Sequence, residues 1–429
     1  MKTDDFGLPL TTESDAARDA YALGVRRFLA ALPGVAEAFQ AALDADPNLA
    51  LAHVGMARIR AMYGDRAGVA ASVEAARATV DGASPREQGH VHMQSLMMSG
   101  NPAEAFAFAR DVHLKDFPRD ALVAQTACGV FGLIGFSGRP ARDAEQLAFT
   151  TWLERDNGGE WWFQAQHGFS QLEVGLFADA EKSLDASQAV MPESGHGAHV
   201  RAHLLYEMGR VDEGRDYLDR WIAGYGPGGT MWCHNHWHIA LWALGAGDMA
   251  KVREIFARVI APGASDSPPI NVVTDGPSLL LRAMLAGHEV VGADWQGLSD
   301  YAAARFPVPG NAFVDMHAGL AHAMAGASER LDALIDGAKG PVAGSVRELA
   351  LGFACLSAED WAGVVRHLDP VMHDHVRLGG SNAQRDLIEF ALAHALVKLG
   401  RRDEAARLIA IRRPYAQADR MVAGLVGAR

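Results

Sequence analysis

Apolar residues along this chain recur three and four positions apart, not two apart. That spacing gathers them on one stripe of an α-helix and leaves no alternating strands. Ala36, Phe39, Ala42 and Leu43 form such a stripe, and Asp46-Pro47 then interrupts it. A second stripe follows in Ala52, Gly55 and Ala57. Alanine, leucine, glutamate and arginine dominate and β-branched runs are rare, so propensity also favours helix. Nearly every segment predicts an amphipathic helix of roughly 12 to 18 residues. The first is expected from about Ser14 to Ala31, after an extended stretch from Gly7 to Thr12.

The stripes come in pairs. Ala103, Phe106 and Ala109 lead to Phe117-Pro118, and Phe177, Ala180 and Leu184 lead to Met191-Pro192. Ala198, Ala202, Leu205 and Gly209 follow, and later Gly247-Asp248 with Val252, Ile255 and Phe256. Gly400, Asp403, Ala405 and Leu408 close the series. Small residues let two antiparallel helices approach, and the Asp-Pro or Gly-polar pairs turn the chain. The expectation is an all-α fold: tetratricopeptide-like helical hairpins forming a right-handed superhelix, an α-solenoid. Their spacing is too irregular for a clean repeat of roughly 34 residues. Gly226-Pro227-Gly228-Gly229 reads as a turn, and Ala261 to Pro277, with four prolines, as the longest loop and a candidate sub-boundary. The helical pattern resumes at about Ser278, so one domain over residues 1–429 is preferred.

A formal charge of -13 excludes a general nucleic-acid binder, which needs a basic face. Cys128, Cys233 and Cys355 are far apart and form no CxxC, which excludes a disulfide framework and a thiolate zinc site and suits a reducing cytoplasm. Met1 to Leu10 has no apolar core of a secretory signal, and no run of about 18 apolar residues predicts a membrane span.

One stretch breaks the apolar pattern with imidazole. Glu193 to Leu244 holds His196, His199, His203, His234, His236 and His238, six of the 18 histidines. His199/His203 and His234/His238 are H-x-x-x-H pairs, and positions four apart share a helix face. The connecting helix, Val211 to Tyr225, is short enough to set the two histidine helices side by side. These four are the candidate ligands should a divalent metal be bound; the sequence does not fix the cofactor. Asp275, Asp315 and His317 are expected to add ligands or orient the rings. Neither pair is an H-E-x-x-H motif, so no metalloprotease base lies between them. The alternative is a metal-free network of buried, hydrogen-bonded histidines.

A second polar motif is Gly379 to Asp386. Ser381 and Gln384 fit a capping box at a helix start. Asn382 and Arg385 beside them point to an anion or polar-ligand site on the free N–H groups of that helix. Trp161, Trp162, Trp232, Trp237 and Trp242 fall near the histidines; most are expected in the core, one or two on a pocket wall. His373-Asp374-His375 is expected to be a solvated helix end. The sequence holds no Gly-x-Ser-x-Gly, no P-loop and no dinucleotide fingerprint.

With these residues in view, the chain resembles the tetratricopeptide repeat protein 38 family. The resemblance rests on Gly7-Leu8-Pro9-Leu10, Ser84-Pro85-Arg86-Glu87 with His90, and Phe117-Pro118-Arg119-Asp120. It rests further on the His199/His203 helix ending in Glu207-Met208-Gly209-Arg210, and on His234-Asn235-His236-Trp237-His238. Asp315-Met316-His317 and Gly379 to Asp386 complete it. Gly276-Pro277 departs from the family's pattern. The resemblance implies an all-helical superhelix and names no reaction.

Two functions follow as expectations. One is binding of a small polar or anionic molecule or a peptide by His199, His203, Asn235, Trp237, Asp275, Ser381, Asn382, Gln384 and Arg385. The other is an enzyme, of hydrolase or lyase type, with His234, His238, His317 and Asp315 as catalytic candidates. Either way, His199, His203, His234, His238 and His317 are expected around one cavity with Arg385 at its rim. No nucleic-acid or membrane partner is expected, and the sequence is compatible with a homodimer without fixing the oligomeric state.

Overall fold

The structure, a computed structural model, describes residues 1–412; the end of the expected 1–429 domain lies outside the described residues. A two-residue ladder, β1 (Lys2–Thr3) with β2 (Pro9–Leu10), is the only sheet among them. All else is helix and turn, as the three-to-four spacing predicts.

The helices pack as successive hairpins. α1 (Asp15–Ala30) pairs with α2 (Val35–Ala45), and α3 (Ala50–Met62) with α4 (Arg66–Thr79). α5 (Pro85–Met98) pairs with α6 (Pro102–Phe108), which runs on through a π-turn, Ala109–His113, into α7 (Leu114–Asp116). α8 (Ala121–Cys128) and α9 (Arg142–Asn157) are separated by a long loop, and α10 (Trp161–Glu173) pairs with α11 (Phe177–Val190). The histidine helices are α12 (Gly195–Glu207) and α14 (Trp232–Gly245), with α13 (Val211–Trp221) between them and α15 (Met249–Ile255) after. α16 (Pro269–Leu285) precedes α17 (Gly292–Arg305), and α18 (Ala312–Met324) precedes α19 (Ser328–Gly337). α20 (Ala343–Ser357) with α21 (Trp361–Met372) and α22 (Asn382–Lys398) with α23 (Arg402–Arg412) complete the array. This is a tetratricopeptide-like all-α architecture. No helix of the described residues is long and apolar enough to cross a membrane.

The array curls back on itself. Arg142 at the start of α9 donates to the carbonyls of Val376 (2.6 Å) and Gly380, far along the chain, and to its neighbour Gly135 (3.2 Å). Arg377 donates to the Gly138 carbonyl at 2.7 Å. On another edge the Tyr225 hydroxyl donates to the Ala31 carbonyl. These are buried or half-buried guanidinium and phenol donors on main-chain acceptors, so both partners are satisfied away from water.

Two segments differ from the sequence expectation. The Ala261–Pro277 loop is shorter than expected, because α16 already starts at Pro269. Proline at the first helical turn lacks only an N–H that the turn leaves unused. Pro277 sits inside α16, at the cost of one backbone bond. Among the described residues the longest irregular stretch is instead 129–141. There glycine stands at 129, 132, 135 and 138, and a Cβ on Gly135 would lie 2.1 Å from the Val130 carbonyl oxygen. The apolar residues between them, Phe131, Leu133, Ile134 and Phe136, mimic a helical stripe. The loop passes backbone against backbone at Gly132 and Gly135, a path that a residue with a Cβ cannot take.

Most hairpins close through a glycine in the left-handed region, such as Gly209 (φ 67) and Gly247 (φ 77). Between α20 and α21 the same place is taken by Glu359 (φ 54), which is exposed. Left-handed backbone costs an L-residue about 1–2 kcal/mol, and glycine's freer unfolded chain gives back about 0.4–1 of that. Glu359→Gly should therefore raise stability by about 0.5–1 kcal/mol, read as a higher denaturant midpoint at unchanged m-value.

Candidate functional site

His199 and His203 lie one turn apart on α12, and His234 and His238 one turn apart on α14. Ser194 starts α12 by accepting the Gly197 amide at 3.0 Å. Gly195 leaves room for the Tyr225 hydroxyl, only 2.6 Å from where a Cβ would stand. The close approach of the two helices turns both histidine pairs into one four-ring cluster. Ring centroids are 4.4 Å apart for His199–His203, 4.8 Å for His199–His234, 4.5 Å for His203–His238 and 5.0 Å for His234–His238. One ring nitrogen from each lies within 4.8 Å of the others.

The cluster is buried: His203 and His238 are 0% exposed. Burial, reinforced by neighbouring imidazoles, holds His199, His203 and His238 well below the usual histidine range, so these rings are neutral at pH 7. His234 Nδ1 meets both carboxylate oxygens of Asp275, on α16, at 2.9 and 3.0 Å. That bond fixes the Nδ1–H tautomer and leaves Nε2 with its lone pair. His199 and His203 approach through their Nε2 atoms at 2.8 Å. Among the described residues, His199 Nδ1, His203 Nδ1 and both nitrogens of His238 have no protein hydrogen-bond partner. Each such buried group costs about 1–3 kcal/mol if nothing pairs with it.

The cluster forms part of the wall of a cavity of about 990 Å3. His196, His199 and His234 line it, with Phe28, Phe106, Met62 and Met97 from the first hairpins and Phe131 and Phe136 from the 129–141 loop. The wall also carries Arg58, Arg66, Arg139, Arg305, Lys339 and Arg377, and among the described residues no aspartate or glutamate lines it. Arg139 is paired with Glu145 and Arg377 with Asp374. Arg58 is 8% exposed, stacks on Phe28 at 4.3 Å and donates to the Leu122 carbonyl at 3.0 Å. Burial lowers its pKa to about 10. Arg58 and the 129–141 loop escaped the sequence reading. A lone arginine on the apolar, small-residue face of α3 was the available signal.

The other expected residues are placed as follows. Asn235 is buried, with its amide 3.5 Å from the Gly195 carbonyl. Trp237 stacks on His234 at 5.0 Å but stands behind it; no tryptophan lines the cavity, so the expected tryptophan wall is corrected to a tryptophan backing. His317 is not in the cluster. Its ring packs on Phe313 at 4.7 Å, its Nδ1 meets the Phe313 carbonyl at 2.8 Å, and burial pushes its pKa down to about 3. Asp315 accepts the Gly310 amide at 2.9 Å, and burial raises its pKa to about 6. His375 is 6% exposed with Nδ1 on the Met372 carbonyl, so the expected solvated end holds only for His373.

The Gly379–Asp386 motif differs most. Ser381 and Gln384 form the expected capping box. The Asn382 amide donates to Glu173 at 2.9 Å, so a carboxyl of the chain itself occupies the expected anion position. Arg385, 1% exposed, is spent on the Gly380 carbonyl, on Asn382 Oδ1 at 2.7 Å, and on Glu173 and Asp143 at 3.5 and 3.4 Å. It is not at the cavity rim; of the four expected here, only Gln384 lines the cavity.

Burial raises the Glu173 carboxyl from its ordinary 4.5 to about 8 against the pull of Arg385. The folded state then holds a proton that the unfolded state releases between these values. Stability from this group is present below about pH 4.5 and is lost as pH rises toward 8. Glu173→Gln should flatten that decline, measured as urea midpoints from pH 5 to 9; an unchanged slope would contradict the assignment.

No protein-family model matches the sequence. Among solved structures, the chain is similar to "Human IFIT1 dimer with m7Gppp-AAAA" at 11% identity and a TM-score of 0.45, covering 99% of this chain and 95% of that one. It is similar to the yeast Tom70 crystal structure at 12% identity and a TM-score of 0.35, covering 96% and 94%. It is also similar to "Structure of Naa15/Naa10 bound to HypK-THB" at 11% identity and a TM-score of 0.26, covering 95% and 64%. Likenesses this low assign no function.

Proposed function

We propose that this chain is a cytoplasmic helical-repeat protein, one domain over 1–429, that binds a small anion with an apolar body in its central cavity. The carrying observation is charge: a chain of net charge -13 forms a cavity with six arginines and lysines and no carboxylate among its described lining residues. Within the described residues, Arg58, Arg66, Arg305 and Lys339 enter no salt bridge. Phenylalanine and methionine supply the apolar part. A volume of about 990 Å3 suits a small molecule better than an extended peptide, since small-molecule pockets run roughly 300–1,000 Å3. The resemblance to the tetratricopeptide repeat protein 38 family is compatible with this reading and does not narrow the ligand.

Displacement of 1-anilinonaphthalene-8-sulfonate, an amphipathic anion with fluorescence readout, tests it. Decanoate should compete well and decanol poorly. The double variant Arg305→Gln/Lys339→Gln, at two exposed wall positions, should weaken decanoate roughly 3- to 10-fold at low salt and reduce the salt dependence. Equal competition by decanol and decanoate would remove the anionic part of the reading.

A second reading, an enzyme, is favoured by the Asp275–His234 pair. Asp275 fixes the tautomer, so His234 Nε2 is a base beside the cavity. If it acts on esters of apolar acids, Asp275→Asn should lower kcat for p-nitrophenyl decanoate by about 100-fold or more with the fold intact. Equal kcat in wild type and variant would reject that role.

A further inference from the structure

We propose that His199, His203, His234 and His238 together hold one divalent first-row transition ion of the zinc class, with Asp275 as its outer carboxylate. The site stands on its own geometry and does not depend on what the cavity binds; an ion on His234 Nε2 takes the lone pair that the enzymatic reading needs, so the two exclude each other.

Three observations carry it. The first is convergence: four imidazoles from two helices offer one nitrogen each within 4.8 Å. A tetrahedral ion with bonds of about 2.0–2.1 Å sets its ligands roughly 3.3 Å apart. The closest pair here, 2.8 Å, and the outer limit, 4.8 Å, bracket that value. The second is the state of His238. It is 0% exposed, both its nitrogens lack a protein partner, and its neighbours within the cluster are other imidazoles. A buried ring with no acceptor and no donor in reach is poor structure but a ready ligand. The third is Asp275. A carboxylate bonded to the far nitrogen of a ligating histidine orients the ring and raises its basicity. It also supplies negative charge beside an all-neutral ligand set. His234 has that partner, at 2.9 Å.

The ligand type limits the ion. Four neutral nitrogens suit zinc, copper, nickel or iron and not magnesium or calcium, which take oxygen. Cys233 approaches Asp275 at 3.9 Å and is not part of the four-nitrogen set. Within the cluster, His199 and His234 face the cavity and His203 and His238 lie behind them. The ion is thus one ring deep in the cavity wall.

The test uses the full chain, purified without a histidine tag. Elemental analysis should give close to one equivalent of a transition metal, or close to one after incubation of chelator-treated protein with zinc sulfate. Cobalt(II) loaded in its place should show the intense visible bands of tetrahedral coordination. His238→Ala should lose the metal. Because that change also opens a buried gap, Asp275→Asn is the second variant: it keeps the packing and should weaken zinc affinity about 10- to 100-fold. His373→Ala, at an exposed histidine outside the cluster, should leave metal content unchanged. Less than about a tenth of an equivalent after zinc incubation of folded wild-type protein overturns the proposal, as does an octahedral cobalt spectrum or Asp275→Asn protein with wild-type zinc affinity. Failure of decanoate binding with metal present would count against the cavity reading alone.

Discussion

The structure turns on the burial of polar side chains where a helical repeat ordinarily buries only apolar ones. Leucine and alanine at three-to-four spacing suffice to stack hairpins. They do not account for four imidazoles, a guanidinium at Arg142 and a carboxyl at Glu173 inside the molecule. Each such group must find a partner or destabilise the fold. Arg142 finds main-chain carbonyls from the other end of the chain, and that pairing draws the array closed. Glu173 finds the start of α22. The closure in turn forms a cavity that stays partly open to solvent, and the histidine cluster becomes part of its wall.

How much of this was legible depends on distance along the chain. The helices were legible because their signal is local: spacing, caps and turn residues. The two histidine pairs were legible because four residues apart is one face, and a short connecting helix leaves adjacent faces to meet. His317 was not, because its partner is the Phe313 ring and carbonyl on its own helix, a use that the sequence does not distinguish from ligation. Arg385 was misplaced for a related reason. Its motif predicts a helix start that attracts a carboxyl or other anion, and the group found there is the Glu173 carboxyl, more than two hundred residues earlier. A sequence motif states what a site attracts and not whether the chain already supplies it.

The 129–141 loop shows the opposite failure. Its apolar residues satisfy helical spacing, so periodicity reads helix, while glycine at every third position lets the backbone pack closely on itself in a loop. That loop carries Phe131 and Phe136 to the cavity and to Phe313. The cationic character of the cavity was equally hidden. The bulk charge is negative, and only the fold separates Arg58, Arg305 and Lys339 from the acids that outnumber them.

The central claim is that the four imidazoles converge on an ion. X-ray absorption at the metal edge, on the zinc-loaded 429-residue chain, tests it most directly, since it reads the type and number of ligand atoms without a crystal. The expected result is a shell of four imidazole nitrogens at about 2.0–2.1 Å, with the outer scattering of histidine rings. A shell dominated by oxygen or sulfur, or the absence of any bound ion, would contradict it.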